Sequence, residues 1–169
     1  MKFESEMTEQ ASRLIDLCRR KHLMLATAES CTGGLIAALI TSVPGSSDVF
    51  DAGFVTYSNA AKTAMIGVPM ELIMRFGAVS ADVARAMAEG ALRHSKADIA
   101  VAVTGIAGPS GGTQQKPVGL IHCAASSRRG NVLHQELLLG DIGRDAVRYA
   151  TMARAVSMAY TLALASVEP

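Results

Sequence analysis

The sequence predicts a single α/β domain of three layers, a mixed β-sheet with helices on both faces, spanning residues 1–169. Three observations carry this. Short apolar runs alternate with segments of helical length and periodicity. One run, Ile99-Ala100-Val101-Ala102-Val103, lacks polar alternation and so reads as a strand covered on both sides. Two later runs, Leu120–Ala125 and Val132–Leu138, flank Arg128-Arg129-Gly130-Asn131, which has the composition of a hairpin turn. Strand order is non-local and leaves no mark in such patterns.

Along the chain, Met7, Ala11, Leu14 and Cys18 recur at helical spacing and predict an amphipathic helix over 5–21. Leu23–Ala28 fits a strand. Leu35–Ile40 is apolar all round, which predicts a buried helix closed by Pro44-Gly45. Phe50–Tyr57, rich in Phe, Val, Thr and Tyr, reads as a strand. Ser58 or Asn59 can cap a short helix that holds Lys62 and ends at Gly67. Pro69 suits the first turn of the next helix, with Gly77 as its stop. Ser80 caps a longer helix whose Val83, Met87 and Ala91 share a face. A Gly/Pro-rich loop runs from Thr104 to Gly119. The last helix begins near Gly143 and puts Ala146, Ala150, Ala153, Val156, Tyr160 and Ala163 on one face.

Composition narrows the function. Ala occurs 28 times, Trp is absent and aromatic residues make up 4%, which suits close-packed helices and argues against an aromatic platform for single strands. A net charge of +1 gives no overall pull toward nucleic acid or an anionic membrane, so neither is expected as a partner. Cys18, Cys31 and Cys123 are odd in number and form no CxxC pair, so neither a disulfide framework nor a zinc ribbon is expected. The opening MKFESEMTEQ is too acidic and polar for a signal peptide. The longest strongly apolar run, Leu35–Ile40, is far short of the ~18 residues of a membrane span. A cytoplasmic, reduced domain is the expectation.

Two segments share one build, an apolar strand running into small, hydroxyl-bearing and Gly-rich residues: Ala28-Glu29-Ser30-Cys31-Thr32-Gly33-Gly34 and Thr104-Gly105-Ile106-Ala107-Gly108-Pro109. In an open α/β sheet, ligands gather at the carboxyl ends of strands, where such loops lie. Both segments also fit plain tight turns. Neither reads as a Walker loop, a dinucleotide fingerprint or a G-x-S-x-G elbow. His22, His94, His122 and His134 are scattered and read as ordinary surface or strand residues, so no zinc site or His-based triad is expected. What remains is a hydroxyl or thiol nucleophile in Ser30-Cys31-Thr32 with a base other than His. A lysine serves if its pKa is lowered. Lys62 stands out, among Ala60, Ala61, Ala64 and Met65 just after a strand end, although by composition alone it reads first as a solvated lysine on a short helix. No cation is evident beside Cys31 to activate a thiolate.

The stretch AESCTGGLIAALITSVPGSSDVFDAGFVTYSNAAKTAMIGV, then FGAVS, VTGIAGPSGGTQQKPVGLI and GDIGRDAVR, resembles the CinA C-terminal domain family, whose PncC-type members are nicotinamide-nucleotide amidohydrolases. The likeness runs in order from about Leu23 to Arg148. It implies deamidation of nicotinamide mononucleotide to nicotinate mononucleotide and ammonia, without a cofactor or metal, in pyridine-nucleotide salvage, by a homodimer. The N-terminal pyrophosphatase-like domain of longer members is not expected here. Residue by residue, the resemblance implies Ser30 of the ESCTGG motif as nucleophile and Lys62 of the YSNxAK motif as general base, with Tyr57 close by. Backbone N–H groups near Cys31, Thr32 and Gly33 would hold the oxyanion, and Thr104 and Gly105 would line the pocket. Arg144 corresponds to the arginine of the family's GDR motif and would contact phosphate, shared with Arg148. The segment Gly140-Asp141-Ile142-Gly143-Arg144 is two residues longer than that compact motif. A non-catalytic nucleotide sensor built on the same loops and a thiol enzyme using Cys31 are the other expectations.

Overall fold

The computed structural model describes residues 3–166. Among them, strands and helices follow in the order α1 (Ser5–Arg20), β1 (Leu25–Glu29), α2 (Leu35–Thr41), β2 (Phe50–Val55), α3 (Asn59–Ile66), α4 (Met70–Phe76), α5 (Ala81–Arg93), β3 (Ile99–Gly105), β4 (Leu120–Ser127), β5 (Val132–Leu138) and α6 (Arg144–Ala165). The α/β fold is mixed, as predicted. The sheet order is β2-β1-β3-β4-β5, with β1 parallel to both β2 and β3, and β4 and β5 added antiparallel. The chain leaves β1 toward one edge to form β2 and returns to the other side of β1 to form β3. The carboxyl ends of β1 and β3 therefore flank a topological switch point.

Side-chain size differs between the two sheet faces. Ala26, Ala28, Ala100, Ala102 and Ala124 face α5, with Val83, Ala84, Met87 and Ala91 packed on them. Leu25, Val101, Val103 and Ile121 fill the opposite face beneath α1, α2 and α6. The alanine face lets α5 lie close, and α3 follows it in: a Cβ on Gly90 would sit 2.1 Å from the Ile66 carbonyl oxygen. That close crossing fixes where α3 lies, and so where its lysine points.

Local signals operate where the sequence placed them. Ser58 caps α3 by accepting from the Ala61 N–H at 3.0 Å, and Ser80 caps α5 by accepting from the Val83 N–H at 3.3 Å. Gly67 ends α3 at φ 66°, a left-handed conformation that glycine adopts without strain. The buried face of α6 is rotated from the expected one. Val147, Thr151, Met152, Ala155, Val156, Ala159 and Leu162 are buried, whereas Ala146 is exposed and Ala150, Ala153 and Tyr160 are half-buried. Of the expected face, Val156 and Ala163 are buried, and Ala155 and Ala159 join the larger side chains against the sheet. A 3₁₀ turn at Ser46–Asp48, not predicted, leads into β2. No helix among the described residues is long and apolar enough to cross a membrane.

Candidate active site

Ser30 directly follows β1 at the switch point. Its N–H donates to the Val103 carbonyl at 3.1 Å, extending the β1–β3 ladder by one residue, while the Thr56 N–H donates to the Glu29 carbonyl at 2.8 Å. The backbone at the head of the loop is thus held from both sides. Lys62 shares the buried face of α3 with Ile66, one turn on. Its side chain is 1% exposed, with Nζ 3.0 Å from Ser30 Oγ and 2.8 Å from the Thr56 carbonyl oxygen.

Burial pushes the Lys62 pKa below the ordinary lysine value, against a smaller upward pull from Cys31. Nζ donates to the Thr56 carbonyl and to Ser30 Oγ, and a neutral amine at the same 3.0 Å would have a lone pair with which to accept the serine's proton instead. The lysine that composition would leave in solvent is buried against the serine.

Glu29 is the residue that sequence reasoning passed over. Its carboxylate is fully buried and accepts four hydrogen bonds. Oε2 accepts from Thr32 Oγ1 at 2.7 Å, from the Gly34 N–H at 3.0 Å and from the Ile36 N–H at 3.1 Å, and Oε1 accepts from the Ala37 N–H at 2.8 Å. One side chain therefore satisfies the first turn of α2 and ties Thr32 into the loop. The signal was an acid closing a mostly apolar, buried strand just before a helix start, a place where a carboxylate is tolerated only when its acceptors are filled.

The other predicted residues take distinct places. A cleft of about 230 Å³ is lined by Ser30, Lys62, Cys31, Thr104 and Gly105, with Tyr57 and Arg144 also on its wall. Asn59, Ala78, Val79 and Ala107 complete the lining and were not anticipated. Arg144 donates to Tyr57 Oη at 3.1 Å and to the Gly108 carbonyl at 2.9 Å, so the tyrosine pairs with the arginine at the rim. Thr32 is buried behind the cleft. The Gly33 N–H is not free for an oxyanion, because it donates to the Ser30 carbonyl at 3.1 Å to close the turn. The N–H groups of Cys31 and Thr32 donate to no oxygen acceptor among the described residues. Arg148 turns to the Thr32 carbonyl at 2.9 Å and braces the loop from outside.

Burial raises the Cys31 thiol to about 12, so a thiolate is disfavoured there. The β4–β5 hairpin brings His122 Nδ1 within 3.1 Å of His134 Nε2, a pairing that their spacing did not announce. Burial lowers both histidines first, and each remains neutral more readily for it. No group of three or more His, Cys, Asp or Glu among the described residues is arranged to hold a metal ion.

With this geometry established, comparison with known proteins gives a consistent result. Residues 7–163 match the profile of the CinA C-terminal domain. A CinA-like protein of Akkermansia muciniphila is 53% identical over 138 residues, 82% of this chain and 33% of that protein. The chain spans about a third of the length of the curated relatives it matches. Among solved structures, competence/damage inducible protein CihA from Agrobacterium tumefaciens is 52% identical with a TM-score of 0.94, covering 98% of this chain and 99% of that one. A competence-damaged protein (CinA) superfamily protein from Klebsiella pneumoniae is 30% identical with a TM-score of 0.89, covering 95% of this chain and 99% of that one.

Proposed function

The chain belongs to the CinA C-terminal domain family, and from that premise we propose that it is an amidohydrolase converting nicotinamide mononucleotide to nicotinate mononucleotide and ammonia. The single observation that carries this reading is the buried Lys62 amine 3.0 Å from the Ser30 hydroxyl at the sheet's switch point.

The chemistry follows from that pair. Ser30 Oγ attacks the carboxamide carbon as its proton passes to the neutral Lys62 Nζ. The tetrahedral intermediate's oxyanion accepts from the Cys31 N–H on the cleft wall and from the Thr32 N–H behind it, neither of which donates to an oxygen acceptor among the described residues. Collapse breaks the C–N bond, Lys62 returns its proton to the leaving nitrogen, and ammonia departs from an acyl ester on Ser30. Water then attacks the ester, giving its proton to Lys62. The second collapse releases the carboxylic acid product, and the Lys62 proton restores the serine hydroxyl. Arg144, held against Tyr57 at the rim, supplies a cation for the nucleotide's phosphate.

Ammonia release from nicotinamide mononucleotide, with no metal added, tests the reading. Turnover by the wild type that Ser30→Ala abolishes is expected, with a fall of roughly 10⁴-fold or more. Turnover by both would leave the reaction and remove the nucleophile. Nucleotide binding without turnover in either would favour the sensor.

A further inference from the structure

Lys116 lies outside the Ser30–Lys62 pair and does not line the cleft, yet it holds one of the cleft's walls. The connection between α4 and α5 supplies Ala78 and Val79 to that wall. Four successive carbonyls there, residues 76–79, are each bonded by a side chain. Lys116 Nζ donates to the Phe76 and Val79 carbonyls, both at 2.7 Å. Ser80 Oγ donates to the Gly77 carbonyl at 2.9 Å, and Thr104 Oγ1 to the Ala78 carbonyl at 2.8 Å.

Two of these four contacts belong to one ammonium brought in from the loop between β3 and β4. That loop presents the lysine firmly, because the Thr113 N–H donates to the Lys116 carbonyl at 2.8 Å and the Lys116 N–H returns to Thr113 Oγ1 at 3.0 Å. Gly77 is at φ 78°, and a Cβ there would sit 2.8 Å from Lys116 Nζ. The turn is shaped around the ammonium. Charge-assisted bonds to carbonyls in a half-buried setting are the stronger kind, so removing this one group frees the wall more than removing either hydroxyl would.

We propose that Lys116 is a positioning residue that fixes the Ala78–Val79 wall, and with it the width of the slot that receives the flat ring bearing the scissile carboxamide. For the ligand's identity this rests on the amidohydrolase reading; for the wall it rests on the bonds alone. Its action falls on substrate fit and leaves the Ser30–Lys62 proton path untouched.

The test measures Lys116→Met, Lys116→Gln and Lys116→Arg by steady-state kinetics on nicotinamide mononucleotide and by hydrogen–deuterium exchange. In the Met and Gln variants KM is expected to rise about tenfold, the loss of roughly one charge-assisted contact, while kcat stays within about threefold. Exchange over 76–80 is expected to quicken while 29–37 keeps its wild-type rate, which also reports that the variant is folded. Arg, which can reach the same carbonyls, recovers most of the KM. An unchanged KM would overturn the proposal, as would a raised KM with unchanged exchange, since that would assign the effect to charge alone. If the wild type itself releases no ammonia, the amidohydrolase reading fails separately, and unchanged exchange over 76–80 would still overturn the role of Lys116.

Discussion

The turn from β1 to α2 and the helix α3 each bury an ionisable side chain beside Ser30, and they treat it in opposite ways. Glu29 receives four donors, three on Oε2 and one on Oε1, so its carboxylate stays out of water with both oxygens bonded. Lys62 receives only a carbonyl and a hydroxyl, and burial pushes its pKa down. A shell of four donors commits Glu29 to holding a loop. A sparse shell discourages the charge and leaves a lone pair free to take a proton. The same depth of burial thus yields scaffold on one side of the serine and reactivity on the other.

Substitution separates the two most sharply at the lysine. Lys62→Met keeps the apolar stem in place, so turnover is expected to fall by about 10²–10⁴-fold, the usual range for a general base. Its unfolding free energy is expected to stay within about 2 kcal/mol of wild type, since one carbonyl partner is lost and one buried amine with it. Glu29→Leu should invert that pattern. It leaves four donors without their acceptor, and denaturant unfolding is expected to show a loss of about 3 kcal/mol or more. Equal stability losses in the two variants would erase the distinction.

A smaller effect lies in pH. Because Lys62 is lowered in the folded state, the unfolded chain holds more protons between that lowered value and the ordinary 10.5. Wild-type stability relative to Lys62→Met should therefore climb as pH rises through that window and level off above it. The kcat/KM profile should rise with loss of the same proton and reach its plateau below pH 10.5. A plateau only at the ordinary lysine value would show that burial is not tuning the base. The smallest effect belongs to Cys31. Cys31→Ala is expected to keep turnover within about threefold, and the thiol, raised to about 12, should resist mild alkylation at neutral pH.

Much of this was legible locally. Caps at Ser58 and Ser80, the glycine stop at Gly67 and the buried run of β3 are written in a few adjacent residues, and each acts over a few adjacent residues. Elimination of other motifs pointed to Lys62 and to a nucleophile within Ser30-Cys31-Thr32, and resemblance was needed to assign Ser30 and to set aside a solvated lysine. The approach of Ser30 and Lys62 depends on strand order and on the Gly90–Ile66 crossing, both set by contacts distant in sequence. The spacing of Lys62 and Ile66 on one face of an Ala-rich helix was the local hint that the lysine faces inward. The α6 face was read partly off: Val156 and Ala163 are buried as expected, but alanine marks a face weakly, and Met152 and Leu162 lie beside the line drawn through Ala146, Ala150 and Ala153. Glu29 went unread because four donors from the next eight residues are what make an acid tolerable there, and those donors are mostly backbone.

The Ser30–Lys62 mechanism stands or falls on where the substrate's acyl group goes. Rapid acid quench of wild type with nicotinamide mononucleotide, followed by peptide mass mapping, addresses that directly, with Ser30→Ala and Lys62→Met alongside. The expected result is a nicotinate-mononucleotide acyl ester on the peptide's Ser30 in the wild type, none in Ser30→Ala, and a strongly slowed appearance in Lys62→Met. An adduct on Cys31, or ammonia released at the wild-type rate by Ser30→Ala, would contradict it.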